Sequence, residues 1–345
     1  MTTVVTVTPN PALDQTVRVR NLTLGDVNRA ESLEFNAGGK GVNVAGCLAD
    51  YGIATIATGL LGADDGAAFD AMFADKQIAD RFVRIAGRTR INVKLVDDAR
   101  GETTDINLAT SRPAAADVAA LERRIAELAA PGRWFVLAGS LPPGVDASFY
   151  RRATRALHDA GARVALDTSG APLADALAAA DPRELPDLAK PNLAELEAAL
   201  GRALAGDDAI VRAACELAAR GIARVVVSLG AQGALGVAAD FGADVGANAV
   251  APRPIAYRVF RATPPRVPVA STVGAGDAFV AGLVASLTEA RAWGDTGRRA
   301  TAFAAAKLAR VGPHLPDRAT LAALAAQVEV DTFTLAAEAD GAVHS

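Results

Sequence analysis

The heptapeptide Ser271-Thr272-Val273-Gly274-Ala275-Gly276-Asp277 runs straight into an apolar, helix-patterned stretch at 278–287. Two glycines leading into a helix make an anion site. The backbone N–H groups of Gly274, Ala275 and Gly276 can turn toward one point, and the positive end of the helix dipole adds to them. A carboxylate at Asp277 would repel bound anions unless it takes a proton from a hydroxyl that attacks a phosphoryl group held there. The combination reads as a kinase site, with Asp277 as base and Gly274, Ala275 and Gly276 as anion hole. In isolation a glycine pair is more often just a tight loop with an aspartate cap, so the rest of the chain has to decide. Rival nucleotide templates fail. Phe279 stands in place of the third glycine of G-x-G-x-x-G, and Gly39-Lys40 is followed by Gly41, not Ser or Thr, so ATP would not be held by a Walker A loop.

A second glycine-rich helix entry lies at 36–45, where Gly38 and Gly39 let a ligand approach the backbone, Lys40 supplies charge and Asn43 falls on the first helical turn. Only five lysines stand against thirty arginines, so Lys40 and Lys190, both inside polar motifs, are poor candidates for solubilising surface residues. Asp14, just past the first strand, either caps a turn or accepts hydrogen bonds from a sugar. Arg90, or Arg88, offers a guanidinium fork for a phosphate already on the substrate. In Lys190-Pro191-Asn192-Leu193-Ala194-Glu195, Asn192 and Glu195 share a helical face near the N-terminus. That suits water-mediated ordering of Mg²⁺, and equally a capping box. Ser228, Gly230 and Gly233 mark a strand, turn, strand unit across which a nucleotide can lie; a plain hairpin is the alternative.

The elements that must carry these groups alternate. Strand patterns at 53–58, 134–138, 163–167 and 224–228 are separated by helical patterns at 65–76, 115–129, 148–158 and 207–220, the rhythm of a parallel sheet with its ligand site at the strands' carboxyl ends. Segments 10–36 and 88–109 carry short alternating strands without helices and are expected to pair as a small β-sheet lid. It would exclude water from the transfer and expose a face for pairing two chains into a homodimer. Residues 1–9, 37–87 and 110–330 then form the α/β core, and 331–345 a surface or frayed tail.

A length of 345 residues with 51% apolar content builds a sizeable core, while a net charge of -4 and 5% aromatic residues leave no basic stripe or stacking platform for nucleic acid. Cys47 and Cys215 suggest neither a disulfide framework nor a zinc site, and His158, His314 and His344 lack metal spacing. The chain opens on a strand at 2–8 rather than a charged leader, and no apolar run reaches membrane length, so a cytoplasmic address is expected.

Five motifs in order carry a family likeness: Gly-Gly-Lys-Gly-Val-Asn at 38–43, Gly-Ser-Leu-Pro-Pro-Gly at 139–144, Lys-Pro-Asn-x-x-Glu at 190–195, Val-Ser-Leu-Gly-Ala at 227–231 and Ser-Thr-Val-Gly-Ala-Gly-Asp at 271–277. The chain resembles the ribokinase-like (PfkB) carbohydrate kinases over roughly residues 3–330. Within them, Thr-Pro-Asn-Pro-Ala-x-Asp at 8–14, Gly-Asp-Val-Asn-Arg at 25–29 and the run at 87–94 are most similar to the branch acting on fructose 1-phosphate; branches acting on tagatose 6-phosphate or fructose 6-phosphate are close relatives. The resemblance implies a mostly parallel sheet flanked by helices with a β-sheet lid, and ATP with Mg²⁺ as cofactors. It also implies Asp277 as catalytic base. Asp14, Gly38, Gly39, Asn43, Arg90 and Ser140 match phosphosugar positions. Lys190, Asn192, Glu195, Ser228, Gly230 and Gly233 match nucleotide and magnesium positions, with Lys40 near either phosphate. Ala278 departs from the serine that often follows the aspartate. The alternative from another class is an idle sugar-phosphate or nucleotide sensor, which would have no need of Asp277.

Overall fold

The structure is a computed structural model that describes residues 3–241, 253–310 and 314–337. Its first half comprises β1 (Thr3–Thr8), β2 (Ala12–Val19), β3 (Ser32–Gly38), α1 (Lys40–Asp50), β4 (Ala54–Gly62), α2 (Ala67–Asp75), β5 (Ala79–Asp80), β6 (Val83–Ile85), β7 (Arg90–Asp97) and β8 (Glu102–Asn107). There follow α3 (Ala115–Leu128), β9 (Trp134–Ala138), α4 (Phe149–Asp159), β10 (Arg163–Asp167), α5 (Ala171–Ala178), β11 (Leu188–Ala189), α6 (Leu193–Leu200) and α7 (Gly206–Ala219). The last part holds β12 (Arg224–Ser228), β13 (Ala234–Asp240), β14 (Ala256–Thr263), α8 (Ala275–Thr288), α9 (Trp293–Leu308), α10 (Arg318–Ala325) and β15 (Glu329–Ala336).

The large sheet runs β15-β14-β13-β12-β11-β10-β9-β1-β4-β5, with β6 also on β4. From β12 through β4 to β5 every neighbour is parallel, and β13, β14 and β15 extend it antiparallel. A strand in a parallel sheet is covered on both faces, which is why β9 reads as an unbroken apolar run, Trp134-Phe135-Val136-Leu137-Ala138. Its side chains alternate. Phe135 and Leu137 join Val5, Val164 and Val225 under α3, α4 and α7, while Trp134 and Val136 join Val4, Ala165 and Val226 under α1, α8 and α9. Each fully buried Val, Leu or Phe contributes about 1.5–3 kcal/mol relative to exposure, so this two-faced core fixes the strand ends on which the site is built.

The small sheet has the order β3-β2-β7-β8, with β2 parallel to β7 and both outer pairs antiparallel. It is therefore assembled from the two separated segments. Its strands alternate faces: Asp14, Thr16, Asn36 and Lys94 look into a cavity above the core, whereas Leu33, Phe35 and Ile106 are about half exposed on the other side.

One expectation is corrected. Residues 331–336 are not a frayed tail but most of β15, whose eight residues pair with β14 from Ala256↔Ala336 to Thr263↔Glu329. Val330, Thr332, Phe333, Thr334 and Leu335 have high strand propensity, but acidic Glu329 and Asp331 and an exposed face blur the alternation. The rest of that segment, 338–345, lies outside the described residues. Among the described residues no helix is long and apolar enough to cross a membrane.

Candidate active site

Two helices begin at the same place without a side-chain cap. The first residue of α1 is Lys40 behind Gly39, and the first of α8 is Ala275 behind Gly274; neither N-terminus has a side-chain hydrogen bond to its free N–H groups. The contrast with α6 is informative. There the Asn192 side chain accepts from Glu195 N–H, and the Glu195 carboxylate accepts from Asn192 N–H, each at 2.8 Å. Asn192 and Glu195 thus form a capping box, while the first turns of α1 and α8 keep their donors for something else. Gly274 is left-handed at φ +76°, a conformation in which an L side chain is strained.

Asp277 lies on the first turn of α8, 8% exposed, and its Oδ2 accepts from Asn43 Nδ2 at 2.7 Å, which ties the two helix entries together across 234 residues. Burial, reinforced by the like charge of Asp167, pushes its carboxyl up to about 6, although Asn43, Lys40 and Lys190 pull the other way. A base that titrates near neutral pH is suited to taking a proton from a hydroxyl.

Asp167 is a residue that local sequence patterns did not single out as functional. It sits at the end of β10, 1% exposed, with Lys40 Nζ at 3.0 Å and Lys190 Nζ at 3.3 Å from Oδ1, while Oδ2 has no partner. Burial pulls the Lys40 ammonium down, but the carboxylates of Asp167, Glu195 and Asp277 together hold it above its ordinary value. The carboxyl end of a parallel strand is where ligands of α/β sheets bind, and that signal alone pointed to Asp167.

Two cavities flank the Gly274 loop. One, of about 430 Å³, lies between the small sheet and the core and is lined by Asp14, Thr16, Asn36, Asn43, Lys94, Thr272, Gly274 and Lys307 among others. Asp14 accepts from Asn92 at 3.0 Å and burial raises its carboxyl; a Cβ on Gly38 would stand 2.6 Å from its Oδ2, so only glycine fits there. The second cavity, about 720 Å³, holds Ser228, Gly230, Gly233, Ala275 and Gly276 with apolar walls from Pro264, Phe279, Ala304 and Leu308. Thr272 borders both. Lys190, Asn192 and Ser228 stand side by side at the ends of β11 and β12, with Asn192 bridged to Ser228.

Arg90 and Ser140 sit at the crossing between the sheets. Arg90 donates to the carbonyls of Pro11 and Asn10, each at 3.3 Å, and to Asn92 Oδ1 at 3.1 Å, which leaves two of its five donors for an anion. Burial lowers its pKa, and Asp14 opposes this. Ser140 accepts from Asn10 Nδ2 at 3.1 Å, and its loop is pinned because Tyr150 and Thr168 hydroxyls both donate to Gly139 O. Arg90 also lines a smaller cavity with Arg88, Arg112 and Thr110.

A site with a neutral-range carboxylate at an uncapped helix entry, a polar cavity on one side and a roomy apolar one on the other is arranged to pass a group between two ligands. The pfkB family carbohydrate kinases match over residues 8–319. The 1-phosphofructokinase of Rhodobacter capsulatus is 45% identical over 331 residues, covering 96% of this chain and 98% of that protein, and that of Escherichia coli is 37% identical over 333 residues with the same coverage. The structure of Escherichia coli phosphofructokinase-2 in complex with fructose-6-phosphate superposes with a TM-score of 0.80 at 29% identity, covering 94% of this chain and 99% of that one. The chain therefore belongs to the pfkB family of carbohydrate kinases and is an ATP-dependent sugar-phosphate kinase, a phosphotransferase whose acceptor is an alcohol.

Proposed function

We propose that the reaction is transfer of the γ-phosphoryl group of ATP to the 6-hydroxyl of fructose 1-phosphate, giving fructose 1,6-bisphosphate and ADP. The observation that carries the chemistry is Asp277, buried at an uncapped helix entry between two cavities with its carboxyl near 6. The choice of sugar is supported by the 45% and 37% identity to 1-phosphofructokinases over nearly the whole chain. The sugar phosphate occupies the polar cavity with Asp14, Gly38, Gly39, Asn43, Ser140 and Arg90, and ATP the apolar one with Lys190, Asn192, Ser228, Gly230 and Gly233. Asp277 takes the hydroxyl proton, the oxygen bonds to the γ-phosphorus, and the bond to the ADP oxygen breaks. The N–H groups of Gly274, Ala275 and Gly276 receive the charge on the phosphoryl oxygens. Lys40 and Lys190, both held on Asp167, orient the phosphates.

Mg²⁺ fits this donor set. The unpartnered Oδ2 of Asp167 and the carboxylate of Glu195, both acting on Lys40, are hard oxygen donors. Among the described residues no group of three or more metal-binding side chains is preformed, which suits an ion that arrives with its water and the nucleotide. Bound there, it would neutralise phosphate charge. The small sheet serves as the lid over the acceptor, and two chains pair through its outer face, where Leu33, Phe35 and Ile106 are 51%, 50% and 49% exposed. Light scattering on an active sample tests this pairing, and an active monomer at working dilution excludes it. The two free thiols support a cytoplasmic address.

Turnover of ATP with fructose 1-phosphate, fructose 6-phosphate and tagatose 6-phosphate in parallel tests the substrate. Fructose 1-phosphate is expected to give the highest kcat/KM. A higher value for either 6-phosphate would overturn the assignment while leaving the kinase in place.

A further inference from the structure

The chain has only five lysines, and none is a freely solvated surface residue. Lys76 is buried against Asp50, Lys94 pairs with Asp105 at 2.9 Å, and Lys40 and Lys190 meet on Asp167. The fifth, Lys307, is 6% exposed on the last turn of α9 and lines the same cavity as Asp14, Asn43 and Gly274. Its stem runs along the anion-hole loop: a Cβ built on Gly274 would stand 3.1 Å from Lys307 Cε and 3.9 Å from Asp277 Oδ2. The position is set by the backbone, since the N–H groups of Ala270 and Ser271, which lead into the loop, both donate to Leu308 O, at 2.8 and 3.2 Å.

The groups facing the ammonium come from four elements: Asp277 on α8, Cys47 and Asp50 on α1, Lys76 just after α2, and the Gly274 turn itself. Burial disfavours its charge, and the carboxylates of Asp277 and Asp50 favour it. Lys40 and Lys190 share one carboxylate elsewhere, so Lys307 is the lysine packed against the Gly274 turn.

We propose that Lys307 is a positioning residue for phosphoryl transfer: its stem holds the Gly274 turn in place, and its ammonium sets a fixed positive charge behind the anion hole that keeps Asp277 ionised. The inference rests on Asp277 as base and on Gly274–Gly276 as the anion hole. A charge fixed before substrate arrives costs no reorganisation during transfer.

Lys307→Met keeps the stem and removes the charge. The expected result is a fall in kcat of about 10- to 10²-fold, somewhat below the loss of a direct oxyanion donor, with both KM values held within about threefold. The acid limb of kcat should also move to higher pH. In Lys307→Ala, propylammonium ions added to the buffer should restore part of the lost kcat, which no packing role would allow. Unchanged kcat in Lys307→Met overturns the proposal. So does a loss of kcat with an unmoved acid limb and no rescue, which would leave the stem as mere packing. If Met lowers the melting temperature, Lys307→Gln keeps a polar head of similar volume and is read in the same way. Near-normal turnover in Asp277→Asn would instead sink the underlying reading of the site, whatever Lys307 does.

Discussion

The two cavities on either side of the Gly274 loop are built to opposite rules. The one under the small sheet is lined by Asp14, Glu34, Asn36, Asn43, Lys94 and Asp105, most of them paired: Asp14 with Asn92, Lys94 with Asp105, Asn43 with Asp277. The other is walled by Pro264, Pro265, Phe279, Ala304, Ala305 and Leu308. Directional hydrogen bonds discriminate hydroxyl stereochemistry, because a mismatched ligand leaves a buried polar group unpaired. An apolar wall holds a flat base by area and asks little about its substituents. The difference teaches where selectivity resides: in the half of the site that the small sheet completes.

The largest effect should come from the residue that belongs to neither half. Asp277→Asn keeps the Asn43 contact region and the shape of the turn but cannot accept a proton. Turnover should drop about 10²- to 10⁴-fold while binding of ATP and sugar phosphate, measured by calorimetry, stays close to wild type. In the wild type, kcat should fall as pH drops through about 6, where the carboxyl protonates. The stability consequence has the opposite sense. A carboxyl whose folded value is raised leaves the protein most favoured at low pH, and that contribution is lost as pH rises through about 6. Asp277→Asn should therefore melt higher than wild type at pH 8, by an amount on the order of 2–3 kcal/mol, and show little difference at pH 4.

Next comes a change confined to the polar half. Arg90→Ala should raise the KM for sugar phosphate by an amount on the order of 2–5 kcal/mol, with little change for ATP and almost none for an unphosphorylated sugar. Because Arg90 also binds the carbonyls of Asn10 and Pro11, equal weakening of both substrates would mean that its work is at the crossing and not on the phosphate. The clamp would then have to be sought at Lys40, Arg29 or Arg88.

The smallest effect should come from the apolar half. Ala304→Leu adds bulk to that wall and should raise the KM for ATP by about tenfold, or roughly 1.4 kcal/mol, leaving the sugar phosphate KM alone. Equal changes in both would break the division between the cavities.

Much of this arrangement was legible in the chain. The glycine pairs at 38–39 and 274–276 announce helix entries, and runs such as Trp134–Ala138 announce buried parallel strands, because backbone freedom and burial on two faces leave local signatures. Asp167 was less visible: its lysines are 127 and 23 residues away, and only the fold joins them. Asn192 and Glu195 satisfy a capping box and a metal site with the same spacing, and hydrogen positions, not sequence, separate the two. The strand at Glu329–Ala336 was missed because its partner is β14, more than sixty residues earlier. Lys307 had a signal that went unused, since lysine is so scarce here that each one asks for a reason.

Between the end of β3 at Gly38 and the start of α1 at Lys40 there is a single residue, Gly39. The small sheet therefore has no slack toward the helix. Any tilt of the sheet is a lever with a very short arm: its fulcrum is one pair of backbone dihedrals, and its load is the turn carrying Lys40 and Asn43, hence the hydrogen bond to Asp277. Covering the acceptor and aiming the base are mechanically one movement.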